Sequence, residues 1–202
     1  MTIVHLFRHT LAGLRVLLAL TVLVGVIYPL AVWGIGQGLF AWRADGSLVT
    51  STGQHTTKPS DAAGSLLIGQ DFGGRQWFHT RPSAAGDGWD TLASAGSNLG
   101  PESSDLVSAI EAHKTAVAQL EGVRPSQVPP DAVTASASGL DPQISPEYAA
   151  LQAPRVAAAR GLALSQVAAL IDEHTQGRTF GFLGDARVNV VALNLALTRA
   201  AH

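Results

Sequence analysis

An uninterrupted apolar stretch is the first pattern along the chain. Residues 16–42 contain no Asp, Glu, Lys or Arg, whereas a bilayer core needs only about 20 residues of helix. Leu and Val side chains are spread all round this helix, as exposure to lipid requires. Tyr28, Trp33 and Trp42 lie towards its far end, where aromatic rings favour the membrane interface. The pattern predicts one transmembrane helix at about 16–42, preceded by a segment at 1–15.

Basic residues before the stretch set its expected orientation. Arg8 and Arg15 precede the helix and outweigh Arg43 beside Asp45, because acidic residues count little in orientation. The N-terminus is therefore expected in the cytoplasm, and the residues after the helix outside the inner (cytoplasmic) membrane. Removal as a signal peptide is the competing fate, but the stretch exceeds the apolar region of about 7–15 residues in such signals. An uncleaved single-pass anchor is the prediction.

Two small residues mark one face of the predicted helix. Gly34 and Gly38 are four residues apart, so both lie on the side where a neighbouring backbone can approach closely. We therefore treat both glycines as candidate contacts to a partner in the bilayer.

Polar residues and turn formers follow the helix. Residues 43–65 are interrupted by glycines and a proline, which is typical of a tether rather than a packed element. A folded extracytoplasmic domain is expected over 66–202, with its core starting near Leu66. Residues 66–68 and 76–79 are short β-prone runs bounded by glycine or proline, and they predict two brief strands.

Cap residues and apolar periodicity predict the later helices. The predicted helices start at Ser103 or Ser104 and stop at Gly122, start at Ser145 and stop at Gly161, start at Ser165 and end near His174, and start at Asn189. Residues 179–183 indicate a strand, and the prolines between 124 and 146 exclude a long regular element. The expected fold class is α+β, with one N-terminal transmembrane helix followed by a single small mixed α/β extracytoplasmic domain.

Composition narrows the function classes. The chain has 202 residues, of which 47% are hydrophobic and 14% charged, so it is a folded protein rather than a disordered one. Its 13 Lys and Arg residues are scattered singly against 15 Asp and Glu, without the basic face that nucleic-acid binding needs. No cysteine is present, which excludes disulfides, thiolate nucleophiles and Cys-containing zinc sites. A membrane is an expected partner and a nucleic acid is not.

The motifs of ATP hydrolysis and potassium selectivity are absent. The two lysines, Lys58 and Lys114, do not follow the glycine of a phosphate-binding loop. The Asp-Lys-Thr-Gly motif of P-type pumps and the filter sequence of potassium channels are also missing. We therefore expect the chain not to be catalytic by itself and to need no intrinsic cofactor.

The histidines give little indication of a metal site or a catalytic site. None of them has the spacing of metal ligands, so no metal site is predicted. His79 and Ser83 are near enough in sequence for a nucleophilic pair, but no Gly-x-Ser-x-Gly elbow accompanies them. His174 beside Asp172 and Glu173 fits the last turn of a helix, where a cation interacts favourably with the helix dipole.

Three loops carry more polar and turn-forming residues than their length requires. They span 78–83, 96–101 and 133–142. Their Ser, Asn and Asp side chains can satisfy neighbouring backbone groups, and a functional surface is the alternative that stays open. The candidate partner-binding side chains in these loops are Arg81, Asn98 and Asp141.

These loops also support a resemblance to a known family. Together with three further segments they resemble the C subunit (KdpC) of the Kdp potassium-transporting ATPase, in the same order and over nearly the whole chain. The segments are 64–70, 78–83, 96–101, 134–146, 152–157 and 187–194.

The resemblance implies an accessory subunit of a high-affinity potassium uptake complex. Its implied partners are a channel-like potassium-binding subunit and a P-type subunit that hydrolyses ATP. The C subunit of such a complex is described as a catalytic chaperone that raises the ATP affinity of the pump subunit. On that description Ser136, Ser138 and Gly139 form a nucleotide loop, and ATP reaches this chain only through the complex.

The predicted orientation opposes direct ATP chemistry, because it puts Ser138 outside the cell. Three interpretations therefore stay open. They are an assembly subunit that contacts the channel-like subunit from outside, a nucleotide-binding chaperone in the same complex, and an unrelated signal-anchored enzyme or binding module.

Overall fold

The computed structural model describes residues 3–200. The chain divides into two units, Met1–Asp45 and Gly46–His202, and each is described by itself. The first is a single long apolar helix and the second a small mixed α/β unit, so the predicted α+β class is confirmed.

The first unit is helical from Ile3 to Ala44 and is long and apolar enough to cross a membrane. It consists of α1 (Ile3–Val22), a π-helical segment (Leu23–Ile27) and α2 (Tyr28–Ala44). The apolar helix that the sequence predicts at 16–42 is therefore present and extends at both ends.

The second unit begins earlier than the sequence predicts. Strand β1 (Leu48–Val49) pairs antiparallel with β2 (Gly64–Ser65), and Val49 is only 2% exposed. Part of the segment predicted as a tether is thus packed into the unit, because short antiparallel pairing buries an apolar side chain between polar neighbours. The predicted strand at 66–68 is wrong, since these residues form the turn that follows β2.

Two helices form where their caps predict them. Helix α3 (Ser104–Glu121) begins after Ser103, whose hydroxyl accepts the Leu106 N–H, and ends at Gly122 with a left-handed φ of 69°. Helix α4 (Pro146–Arg160) begins after Ser145, whose hydroxyl accepts the Tyr148 N–H, and ends at Gly161.

Of the two remaining helices in this unit, one starts where its cap was predicted and the other does not. Helix α5 (Leu164–His174) starts before Ser165, so the predicted cap at Ser165 is wrong. The Gln166 side chain instead accepts the Ala163 N–H at this end. Helix α6 (Val190–Ala200) starts after Asn189, whose side-chain oxygen accepts the Ala192 N–H as predicted.

A three-stranded antiparallel sheet lies beside these helices. Its strands are β3 (Gln143–Ile144), β4 (Thr175–Gln176) and β5 (Arg187–Asn189), with β5 in the centre. The predicted strand at 179–183 is wrong, because Thr179 and Leu183 pair with each other around a tight turn.

The core of the second unit is formed by α4, α5, α6 and β5. Its side chains are closely enclosed and each contributes about 1.5–3 kcal/mol through burial. The fully buried members include Phe78, Val156, Val167, Val188, Leu193 and Leu197. Phe78 comes from a loop, and it ties the first of the three polar loops to the core.

Candidate functional site

The segment Arg75–His79 starts in a turn and enters the core without forming a strand, so the predicted strand at 76–79 is wrong. Its backbone groups bond to side chains instead. Asn194 of α6 accepts the Phe78 N–H and donates to the Phe78 carbonyl, both at 2.9 Å. Gln152 of α4 accepts the His79 N–H at 2.7 Å and donates to the His79 carbonyl at 3.1 Å. Two buried amides therefore take the place of a neighbouring strand.

We call Arg75–His79 the clamped segment, and a buried guanidinium fixes its start. Arg155 of α4 donates from Nη1 to the carbonyls of Arg75 and Trp77, at 2.6 and 2.9 Å. Its Nε lies 2.9 and 3.0 Å from the two carboxylate oxygens of Glu121. Burial raises the pKa of Glu121, and the Arg155 charge acts in the opposite direction. Removing one member of such a buried pair costs about 3–5 kcal/mol.

The clamped segment also contacts Arg160, the last residue of α4. Arg160 stacks on Trp77, with its guanidinium carbon 4.1 Å from the ring centre, and donates to the Gln76 carbonyl at 2.9 Å. A cation–π contact of this kind contributes about 0.5–2 kcal/mol.

Beyond the clamp, Arg81 reaches the residues that we call the serine loop, Thr134–Pro142. Its side chain donates to the Thr134 carbonyl at 3.2 Å and to the Ala135 carbonyl at 3.4 Å. Its Nη1 lies 3.6 Å from the Asp141 carboxylate in a partly exposed ion pair. The structure therefore brings the candidates Arg81 and Asp141 together, and Arg81 bridges two carbonyls and a carboxylate.

Ser83 makes the second connection to the serine loop. Its hydroxyl donates to the Gly139 carbonyl at 2.6 Å and accepts the N–H groups of Ala85 and Trp89. This arrangement confirms that Ser83 organises neighbouring backbone. The side chain of Trp89 donates to the Thr80 hydroxyl at 3.1 Å and closes the turn.

Gly139 fits its place only because it has no side chain. Its φ is 67°, and a Cβ there would lie 2.6 Å from both the Ala85 nitrogen and the Ala95 oxygen. Real Cβ atoms do not approach backbone so closely. The glycine is thus explained by packing between two loops.

The serine loop satisfies its own amides. The Ser138 hydroxyl accepts the Leu140 N–H at 3.1 Å, and the buried Ser136 hydroxyl accepts the Asp141 N–H at 3.4 Å. The Gly139 N–H donates to the Ser136 carbonyl. An anion-binding loop needs amides that point at the ligand, whereas these three amides bond within the loop. Ser138 itself is exposed.

Two open grooves border the serine loop. One, of about 570 Å³, lies between the loop and the turn at Leu66–Ile68 and is lined mainly by apolar side chains and serines, together with Asp141 and Gln143. The other, of about 460 Å³, is lined by charged side chains of both signs. The charged members are Arg81, Asp131, Asp141, Asp185 and Arg187. The loop therefore forms a ridge between a mainly apolar groove and a charged groove, which it borders through Asp141.

The other candidates lie apart from this ridge or at its margin. Asn98 is exposed with a left-handed φ of 53°, whereas Gly96 in the same loop approaches the Ala137 carbonyl closely. Gly34 and Gly38 lie on the membrane helix, and nothing is within 4 Å of where their Cβ atoms would be.

The histidines have local partners. A ring nitrogen of His79 lies 2.9 Å from the Gly74 carbonyl, while Ser83 bonds to Gly139, so the two do not form a nucleophilic pair. Burial lowers the pKa of His79, and the Gly74 carbonyl opposes this shift. A ring nitrogen of His174 lies 2.9 Å from the Leu170 carbonyl. Residues 3–200 contain no group of three or more His, Asp or Glu that could hold a metal ion.

Four residues that organise this region were not predicted from the sequence. They are Glu121, Gln152, Arg155 and Asn194. A signal existed for two of them, since Gln152 and Asn194 lie among apolar residues on helices that must pack, and a buried amide needs partners.

Comparison with known proteins gives one consistent result. The family model for KdpC, described as K+-transporting ATPase, c chain, matches residues 10–199. A protein of Kineococcus radiotolerans named potassium-transporting ATPase KdpC subunit is 54% identical over 100% of this chain and 98% of its own. Proteins of the same name from Mycobacterium tuberculosis and Beijerinckia indica are 50% and 46% identical, each over 95% of this chain and 98% and 94% of their own.

This agreement decides between the interpretations that the sequence left open. An unrelated signal-anchored enzyme is not favoured, because the match covers both the apolar helix and the mixed α/β unit that carries the serine loop. The chain belongs to the KdpC family, the c chain of K+-transporting ATPases.

Proposed function

We propose that this chain is a non-catalytic accessory subunit of an ATP-driven potassium uptake complex. In this proposal it assembles with a channel-like potassium-binding subunit and a P-type subunit that hydrolyses ATP. Its helix anchors it in the inner membrane with the N-terminus inside, and the serine loop with its two grooves contacts a partner outside the cytoplasm.

The observation that carries the proposal is the set of hydrogen bonds and close packing contacts that hold the serine loop in one conformation. The loop is held by hydrogen bonds from Arg81 and Ser83 and by close packing at Gly139. Its residues Ala137 and Ser138 are exposed. A surface that is already ordered loses little entropy when it binds, which favours recognition of a protein partner. The apolar and charged grooves on its two sides supply different chemistry for one interface.

Charge at the membrane helix supports the orientation. Arg8 and Arg15 lie on one side of the apolar stretch. On the other side, Arg43 has Asp45 close by in sequence, and the Asp45 carboxylate accepts a hydrogen bond from the Gln37 amide at 2.8 Å. Basic residues dominate orientation, so the pair before the stretch favours a cytoplasmic N-terminus.

The same loop argues against direct ATP binding by this chain. A phosphate cradle needs free N–H groups or cations, but the amides of Gly139, Leu140 and Asp141 bond within the loop. The Asp141 carboxylate beside them would repel a phosphate, although Arg81 offsets part of its charge. In this proposal ATP acts on the pump subunit, and the family-implied roles of Ser136 and Ser138 are structural.

Cysteine labelling in intact cells tests the location. Ser138 is exposed and the chain has no native cysteine, so Ser138→Cys gives a single reactive site. In intact cells that express this chain without the other subunits, we expect a thiol reagent that cannot cross the inner membrane to label it. The matched variant Gln54→Cys reports an exposed position outside the serine loop and should label equally.

The two variants together separate the possible outcomes. Labelling of Gln54→Cys but not Ser138→Cys in the assembled complex, with both labelled when this chain is expressed alone, supports a partner on the serine loop. Protection of both until the cells are opened would place the domain in the cytoplasm and refute the proposed orientation. Nucleotide binding by the purified chain that a Ser138→Ala change abolishes would refute the structural role of the loop.

A further inference from the structure

The membrane helix contains an irregularity near the middle of its apolar stretch. Residues Leu23–Ile27 are π-helical, and the Tyr28 N–H donates to the Leu23 carbonyl, five residues back instead of four. Single-turn π segments of this kind are rare and occur frequently at functional positions.

The irregularity and the next residue deprive two carbonyls of their normal donors. In an α-helix the Val24 carbonyl accepts from residue 28, but the Tyr28 N–H is directed at Leu23. The Gly25 carbonyl accepts from residue 29, which is Pro29 and has no N–H. Hydrocarbon offers no bulk water to replace the missing donors, and neighbouring helices are one of the sources that satisfy such groups, beside Ser or Thr side chains, ordered water and local helix adjustments.

The backbone is also accessible at this point. Gly25 has no side chain, and nothing lies within 4 Å of where its Cβ would be. Val24 and Val26 are 60% and 49% exposed. A second helix can therefore approach closely enough for a side-chain hydrogen bond to the main chain.

We propose that the π segment is the docking point for a transmembrane helix of a partner subunit. That helix brings a Ser, Thr, Asn or Gln side chain whose O–H or N–H donates to the carbonyl of Val24 or Gly25. The inference rests on the proposed function, because it requires partner subunits in the same membrane. It is distinct from the Gly34 and Gly38 face, which lies further along α2, just before the non-helical residue Phe40.

Recovery of the assembled complex provides the first test. The full-length chain carries an affinity tag and is expressed with the other subunits of its transport complex, then isolated in mild detergent. Pro29→Ala supplies the missing N–H, and Gly25→Leu blocks close approach. We expect each change to lower partner recovery about 3- to 20-fold, the range of one interhelical hydrogen bond. Gly13→Leu, at a glycine of α1 that is equally open, should leave recovery unchanged.

Photo-crosslinking in the unaltered helix provides the second test and does not depend on the stability of those variants. A photoreactive residue at Val24 should crosslink to a partner subunit, and one at Val16, about two turns earlier, should not. Crosslinks from Val24 only to a second copy or to lipid would overturn the inference. Wild-type recovery of partner subunits with both Pro29→Ala and Gly25→Leu would also overturn it. Failure of the wild-type chain to recover any partner would refute the proposed function itself.

Discussion

Replacing Asn194 by Leu tests whether side chains hold the clamped segment Arg75–His79 in place of a strand. Asn194 is 1% exposed, and its amide makes two hydrogen bonds of 2.9 Å to the backbone of Phe78. Leu has the same number of side-chain heavy atoms as Asn in the same branched arrangement, so it leaves no cavity. The change therefore isolates the loss of two polar contacts from the loss of packing.

The expected cost follows from the two groups left behind. The buried N–H and carbonyl of Phe78 would each lack a partner, which costs about 1–3 kcal/mol per group. We expect the free energy of unfolding to fall by about 2–6 kcal/mol. For a domain of this size, that corresponds to about 2–4 °C in Tm for each kcal/mol.

Thermal unfolding of the full-length chain in detergent measures the effect. The near-ultraviolet circular dichroism signal is suitable because Trp77 lies inside the clamped segment. Asn98→Gly is the matched control, since Asn98 is exposed and glycine accepts its left-handed φ of 53°. We expect the control to change the free energy of unfolding by less than about 0.5 kcal/mol. A Tm for Asn194→Leu within about 1 °C of wild type would refute the reasoning.

Three further predictions follow from the structure. Gly139→Ala should destabilise the fold by at least about 2 kcal/mol in the same assay, because its Cβ would meet backbone atoms at 2.6 Å; a wild-type Tm would contradict the packing argument. Because burial lowers the pKa of His79 in the folded state, the unfolded state binds more protons below pH 6.5, so stability is complete above that pH and is lost as pH falls towards the lowered pKa. His79→Gln should make Tm less dependent on pH between about 7 and 5, and an unchanged slope would exclude this contribution. Replacing Gly34 and Gly38 together with Leu should reduce recovery of partner subunits with this chain, and full recovery would show that other surfaces hold the complex.

Local signals in the sequence determined much of the architecture. The charge-free stretch at 16–42 is sufficient to specify an apolar helix, because each residue contributes independently of the rest of the fold. Ser103 and Ser145 specify helix starts and Gly122 and Gly161 specify helix ends, since a cap depends on contacts within one turn.

Contacts between distant residues decided what the sequence could not. The β-prone run at 76–79 forms no strand, and the backbone of Phe78 and His79 bonds to the side-chain amides of Asn194 and Gln152, 116 and 73 residues away. A buried backbone requires donors and acceptors without specifying whether a strand or a side chain provides them.

The serine loop shows the same division between local and tertiary information. Its composition predicts turns, and its hydroxyls do bond within the loop. Only the folded chain brings Arg81, Ser83 and Ala85 against it, and these long-range contacts explain why a glycine is required at 139. Turn chemistry acts over two or three residues, whereas the shape of the exposed ridge depends on packing between loops that are about fifty residues apart along the chain.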